Sequence, residues 1–165
     1  MTWAAVAILA FVTLQRLLEM QLAESHSRKL LADGAVEHGR DHYPLIVAVH
    51  AAWLAALWWW APGRPINIPF LVLFALLQAG RIWVIRSLGE RWTTRIIVKT
   101  GAPLIRRGPY RFVDHPNYLV VIGEIAVLPL VFGLWQIALI FSALNAIVLT
   151  VRIRAENRAL ASLRG

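Results

Sequence analysis

Residues 108–118 read Gly-Pro-Tyr-Arg-Phe-Val-Asp-His-Pro-Asn-Tyr, a polar, ring-rich connector between two apolar stretches. Pro116 marks the start of the second stretch, and proline suits the first position of a helix because the N–H that it lacks has no partner there. His115 is therefore expected at the mouth of a hydrophobic helix, where unpaired N–H groups and the helix dipole favour an anion. Aromatic and cationic side chains flank this point: Tyr110, Arg111 and Tyr118. The stretch predicts either a capped helix entry or part of a binding site.

The composition is that of a membrane protein. Of 165 residues, 59% are hydrophobic and only 16% are charged, and eight are tryptophan. Several apolar runs approach the roughly 20 residues that cross a bilayer as a helix. The chain has no cysteine, which excludes disulfides, thiolate metal sites and a cysteine nucleophile.

We predict an all-α, polytopic membrane protein in which residues 1–165 form one membrane-embedded domain. The residues between spans one and two, 24–42, are expected to form a polar and irregular link. The longer link, 86–115, is expected to contain an extended segment at 93–98, where β-branched residues are frequent. The predicted spans are residues 2–22, 43–61, 66–85, 116–132 and 135–151, the last two forming a hairpin.

The distribution of basic residues predicts the orientation. With five spans, fourteen of the 17 Lys and Arg residues lie in the first link, the third link and the tail, which share one side. The other side holds only Arg64. The positive-inside rule therefore puts the basic links and the carboxyl terminus in the cytoplasm, in an inner or plasma membrane. The net charge of +8 then indicates orientation and attraction to membrane lipid, and we expect no nucleic-acid partner.

Two groups of polar residues leave alternatives open. Arg16 and Glu19 lie three residues apart in the first span and can pair on one helical face, near the interface or as part of a site. The first link carries three histidines near carboxylates, at spacings of twelve and four, which match no standard zinc pattern. We therefore expect no metal. The histidines are His26, His38 and His42.

A hairpin about residues 133–134 permits a calculation of depth. His115 is then level with about Arg152, and Glu124 lies within a turn of the level of Asn145. At 1.5 Å per residue, Glu124 is roughly 12 Å below the start of its helix, where a carboxylate needs a partner, a proton or water. One face of the last span carries a mostly polar stripe: Asn145, Leu149, Arg152 and Glu156. Arginine and helix N–H groups could bind the carboxylate of a small zwitterion, and glutamate its ammonium. An ordinary surface pair between Arg152 and Glu156 is the alternative.

At these residues the chain resembles the isoprenylcysteine carboxyl methyltransferase family, integral-membrane enzymes that use S-adenosylmethionine. The resemblance rests on residues 108–118, on Gly123-Glu124, on Asn145 and on Arg-Ile-Arg-Ala-Glu at 152–156. Residues 15–44 are also similar to small bacterial members, some of which methylate the products of type III polyketide synthases. Two positions differ from the family pattern, because Asp114 replaces an arginine and Asn157 replaces the second glutamate of a pair.

The resemblance implies roles for specific residues. Arg152 and Glu156 would be catalytic, and Arg107 and Arg111 would bind substrate, while the long basic link covers the pocket. S-adenosylmethionine would bind in a cytoplasmic pocket between spans four and five. Its expected contacts are Tyr110, His115, Pro116, Tyr118, Gly123, Glu124 and Asn145.

The expected reaction is O-methylation of a lipid-tailed or prenylated substrate that enters from the bilayer. A carboxylate acceptor would need no base, whereas a phenol would need one, with Glu156 or His115 as candidates. Long-chain pyrones or phenols of polyketide origin are the alternative acceptors. Two further hypotheses are an NADPH-dependent lipid reductase on a related scaffold, although the chain has no GxGxxG pattern, and a non-catalytic membrane adaptor.

Overall fold

Five helices and a two-stranded sheet form the part of the chain that the computed structural model describes, residues 2–161. In chain order the elements are α1 (Thr2–Ala32), β1 (Val36–His38), α2 (Tyr43–Trp60), α3 (Ile68–Leu88), β2 (Ile96–Val98), α4 (Pro116–Val131) and α5 (Trp135–Leu160). Single turns of 3-10 helix precede α2, follow α3 and cover Gly108–Arg111. The five helices lie where the five spans were predicted.

Four of the helices are long and apolar enough to cross a membrane: α1, α2, α3 and α5. The remaining helix, α4, has only 16 residues. Its length is about 24 Å, less than the ~30 Å hydrocarbon core of a bilayer. The structure thus supports four candidate spans, one fewer than predicted. The difference concerns α4 alone, which forms where the fourth span was predicted but has too few residues to cross the hydrocarbon core.

The first helix is longer than predicted, and the link after it is shorter. α1 continues ten residues past the predicted end of span one, to Ala32. The added turns contain neither glycine nor proline, so nothing in the backbone stops the helix before Gly34. There the chain adopts a φ of +83°, and the Gly34 and Ala35 N–H groups bond to carbonyls of the last turn. This arrangement is a typical helix C-cap.

The prediction of an all-α chain was wrong in one detail, because the two links pair as a small antiparallel sheet. β1 lies beside β2, with Val36 opposite Val98 and His38 opposite Ile96. The predicted extended segment at 93–98 contains β2, so that part of the prediction is confirmed. Its partner was missed because three residues between a helix and a turn carry too little alternation to indicate a strand.

The predicted hairpin of the last two helices is confirmed. Gly133, with a φ of +69°, makes the turn between α4 and α5. α4 packs against both α3 and α5, so it is the central helix of the bundle. Leu128 of α4 and Phe132, directly after it, are fully buried. They pack in one core cluster with side chains of the first two helices, such as Leu9 and Leu57. α5 then continues past the predicted end of its span, to Leu160, and projects beyond the amino-terminal end of α4.

Candidate active site

The hairpin brings the start of α4 against the last turns of α5. His115 lies directly before α4, and its Nε2 is 3.1 Å from Asn157 Oδ1. Its Nδ1 is 3.8 Å from the Glu156 carboxylate. The imidazole therefore reaches α5 about one turn beyond Arg152, which is the residue expected at its level.

Tyr118 contacts three other polar residues of this corner, His115, Arg152 and Glu156. Its hydroxyl donates a hydrogen bond to Glu156 Oε2 and accepts one of 2.8 Å from Arg152 Nε. The ring stacks on His115 with 5.2 Å between centroids, and the Arg152 guanidinium lies 5.6 Å from the Tyr118 ring centroid. Arg152 and Glu156 thus do not form a plain surface pair, since one tyrosine hydroxyl lies between them.

Arg152 is buried without a carboxylate partner. The residue is only 8% exposed, and its second hydrogen bond runs from Nη2 to the Thr94 carbonyl, at 2.8 Å. No carboxylate oxygen lies within 4 Å of the guanidinium among residues 2–161. A buried cation that is bonded only to neutral oxygens favours an anion, because neutral dipoles offset only part of the cost of removing the charge from water.

A cavity of about 810 Å³ opens beside this corner. Its walls are β2 and the loop after it, the turn Gly108–Arg111, the start of α4 and the end of α5. Polar groups at the helix ends line it, and apolar surface comes from Trp92, Ile96 and Val98. The volume falls within the usual range for small-molecule and cofactor sites.

The structure brings together six of the eleven residues proposed from the sequence. These six line the cavity: Tyr110, Arg111, His115, Tyr118, Arg152 and Glu156. Burial raises the pKa of Tyr110, and the Glu156 carboxylate raises it further. The Tyr110 phenol is therefore protonated at neutral pH and can donate a hydrogen bond.

Three of the other five proposed residues have packing roles instead of facing the cavity. Pro116 is buried at the first position of α4. Arg107 Nε donates a 2.8 Å hydrogen bond to the Ser87 carbonyl, which fastens the long loop to the end of α3. Gly123 lies where a Cβ would come within 2.7 Å of Leu77, so the absence of a side chain allows α3 and α4 to approach closely.

The remaining two residues, Glu124 and Asn145, are buried deeper in the bundle and do not line the cavity. Glu124 belongs to a ring of four charges, which we call the charge ring: Arg16, Glu19, Arg81 and Glu124. Arg81 contacts Glu19 at 2.6 Å and Glu124 at 3.0 Å, and Arg16 contacts the same two carboxylates at 2.9 Å each. Gln78 adds a 2.7 Å hydrogen bond to Glu124. The predicted Arg16–Glu19 pair is confirmed as one side of this ring.

Thr94 and the ion pairs of Arg81 were not predicted from the sequence. Thr94 acts through its backbone carbonyl, which leaves no mark in a sequence. Arg81 was visible near the end of span three, but its partners are 62 and 43 residues away in the chain. Only the presence of carboxylates in other apolar spans could have suggested them, because buried charges require partners.

Comparison with known proteins gives the family. The model of the isoprenylcysteine carboxyl methyltransferase (ICMT) family matches residues 70–162, which include α4, α5 and nearly the whole cavity wall. The chain belongs to the ICMT family. It is thus an integral-membrane protein of a methyltransferase family, in agreement with its four long apolar helices.

Two bacterial relatives match this ICMT-family protein over nearly their whole length. The protein YpbQ of Bacillus subtilis, described as uncharacterized, is 37% identical over 97% of this chain and 96% of its own. An uncharacterized protein of Haemophilus influenzae is 27% identical over 90% of each chain. No solved structure matches.

Proposed function

We propose that this protein transfers a methyl group from S-adenosylmethionine to a carboxylate oxygen of a lipid-tailed acceptor at the cytoplasmic face of the membrane. The main support for this proposal is Arg152, a buried cation that lines the cavity and whose hydrogen-bond partners among residues 2–161 are neutral oxygens. Family membership supports methyl transfer over the hydride-transfer and adaptor hypotheses. The side of the membrane follows from the excess of basic residues in the links and tail.

The residues at the cavity fit a sulfonium-containing cofactor. The Glu156 carboxylate and the stacked rings of His115 and Tyr118 form one wall, and both a carboxylate and aromatic faces attract a cation. Tyr110 offers a phenol donor, and the apolar wall about Trp92 suits a flat heterocycle. When bound, S-adenosylmethionine supplies an electrophilic methyl group and leaves as a neutral thioether.

The contacts of Arg152 and Glu156 favour a carboxylate over a hydroxyl as the acceptor. A carboxylate is ionised at neutral pH, so a guanidinium with no carboxylate contact in the described part of the chain can hold it, and no base has to remove a proton. Glu156 is engaged by the Tyr118 hydroxyl, and this bond orients it beside the cavity. Arg152 would therefore align the acceptor oxygen, and exclusion of water and positioning would supply the rate.

Binding and turnover test the proposal separately. Calorimetry in detergent should show S-adenosylmethionine binding to the intact chain and weaker binding to Glu156→Ala. Glu90→Ala, a change at an exposed glutamate outside the cavity, is the matched control. Unchanged affinity in Glu156→Ala would contradict the assigned cofactor wall.

The acceptor is tested with radiolabelled methyl donor and two lipids, a prenylated cysteine with a free carboxylate and a long-chain phenol. We expect label on the carboxylate compound, as a base-labile ester. Transfer to the phenol alone would overturn the carboxylate assignment and leave Glu156 or His115 as the base that a phenol requires.

A further inference from the structure

The unequal lengths of the last two helices create a recess at the end of the bundle that carries the cavity. α4 and α5 start from the same tight turn, yet α5 has 26 residues and α4 only 16. At 1.5 Å per residue, α5 extends about 15 Å past the beginning of α4. The cavity occupies the space above the shorter helix. α4 is also about 6 Å shorter than a hydrocarbon core, so its two ends cannot both reach the headgroup layers. If the carboxyl-terminal end of α4 is level with one surface of the membrane, its start lies near or below the headgroup layer of the other surface.

The residues that enter α4 from this recess form the rim of the cavity. We call residues 106–113 the rim segment. Its inner side is held in place, since Arg107 is bonded to α3 and Pro109 is buried. Its outer side is open, with Phe112 75% exposed and Val113 39% exposed. Phe112 thus presents a large apolar ring to the surroundings four residues before the start of α4.

Two arginines on the rim segment have no anionic partner in the described part of the molecule. Arg106 and Arg111 are exposed and form no ion pair with any carboxylate among residues 2–161. Arg111 instead lies 6.0 Å from the centroid of the Phe112 ring. Several basic residues of the same face do pair with acidic side chains, among them Lys29, Arg95 and Lys99. The charge of the rim arginines is therefore available to an external anion.

We propose that the rim segment docks into the cytoplasmic leaflet, with Phe112 and Val113 among the upper acyl chains and Arg106 and Arg111 on anionic phospholipid headgroups. Each arginine near an anionic surface shifts the balance between docked and undocked states by about fivefold. Docking places the mouth of the cavity in the leaflet, where a lipid-tailed molecule can enter without crossing water. The inference is independent of the methyl-transfer proposal, because its test measures depth and not turnover.

The depth of Phe112 can be measured because the chain contains no cysteine. Spin labels on Phe112→Cys, Leu139→Cys and Arg158→Cys are compared in nanodiscs by their accessibility to oxygen and to a water-soluble nickel chelate. Leu139 is 65% exposed in the second turn of α5, within the apolar part of this helix, and serves as the lipid reference. Exposed Arg158, near the end of α5, serves as the water reference. In discs of phosphatidylcholine with phosphatidylglycerol, we expect the Phe112 label to resemble the Leu139 label.

The contribution of charge is measured by repeating the experiment without the anionic lipid or without the two rim arginines. In pure phosphatidylcholine, or with Arg106→Gln and Arg111→Gln together, the docked-to-undocked ratio should fall by roughly 25-fold. The control pair, Arg64→Gln and Arg158→Gln, removes the same charge from exposed positions outside the rim segment and should have no effect. A Phe112 label as accessible to nickel as the Arg158 label in every disc would overturn the proposal. If the Phe112 label stays buried in pure phosphatidylcholine and also when both arginines are replaced, the assigned contact with anionic headgroups is wrong.

Discussion

Two arginines in this protein are buried to nearly the same extent but differ in the charge of the groups that they contact. Arg81, in the charge ring, is 7% exposed and contacts two carboxylates on two other helices. Arg152, at the cavity, is 8% exposed and contacts a tyrosine hydroxyl and a backbone carbonyl. The first has its charge satisfied within the fold and joins α1, α3 and α4. The second has no direct carboxylate contact among residues 2–161, and Glu156 reaches it only through the Tyr118 hydroxyl, so its guanidinium can still accept an anionic ligand. Burial alone does not distinguish the two roles, whereas the charge of the partners does.

The largest expected effect comes from removing the satisfied arginine. Arg81→Met leaves Glu19 and Glu124 facing each other with only Arg16 between them, and breaking a buried ion pair costs about 3–5 kcal/mol. Unfolding of the purified protein in mixed micelles measures the loss. Arg81→Met combined with Glu124→Leu restores neutrality, because Arg16 and Glu19 remain as a pair, and should recover most of the stability. A double variant no more stable than Arg81→Met would show that the ring is not held by charge balance.

Replacing the unsatisfied arginine should affect activity and leave stability nearly unchanged. Arg152→Lys keeps the charge but loses the planar set of donors that reaches Tyr118, Thr94 and an acceptor at once. We expect kcat/KM for methyl transfer to fall by roughly 100-fold, as misplacement of a reacting group can produce. Arg158→Lys, on the same helix and exposed, is the matched control. Normal methyl transfer in Arg152→Lys would contradict the role given to the planar donors of Arg152 in holding the acceptor.

Tyr118→Phe tests the difference between the two arginines, because it removes the neutral hydroxyl between Arg152 and Glu156. Without the hydroxyl, these two side chains, four residues apart on α5, can pair directly, and the guanidinium at the cavity becomes satisfied. We expect about a tenfold loss of kcat/KM, in line with one charge-assisted hydrogen bond. The separate values of kcat and KM identify the step, because a lost acceptor site raises KM. An unaltered KM for the acceptor would contradict the role given to Arg152.

The smallest effect is expected at Gly123, beside the charge ring. Gly123→Ala puts a methyl group against Leu77, whose flexible end can move, so we expect a loss of about 1 kcal/mol from overpacking. Gly123→Ala with Leu77→Val should regain part of it. S-adenosylmethionine affinity should stay unchanged in both variants. A large drop in affinity with normal stability would return Gly123 to the cofactor site that the family resemblance implied.

Much of the fold could be read from the sequence because it depends on neighbours along the chain. Apolar runs mark the five helices, Gly133 marks the hairpin turn, and Arg16 and Glu19 fall on one face by helical periodicity. The end of α1 was placed ten residues early because charged residues were taken for a link, although they are compatible with a helix that leaves the membrane.

The helices, the hairpin and the convergence of His115, Tyr118 and Glu156 could be predicted from local pattern, since these residues lie on, or directly before, two helices that one short turn joins. Helix packing alone turns Glu124 towards Arg81 and away from the cavity, and it brings the Thr94 carbonyl to the Arg152 guanidinium. The reason is that periodicity tells which residues share a face, whereas the rotation of each helix against its neighbours decides what that face meets.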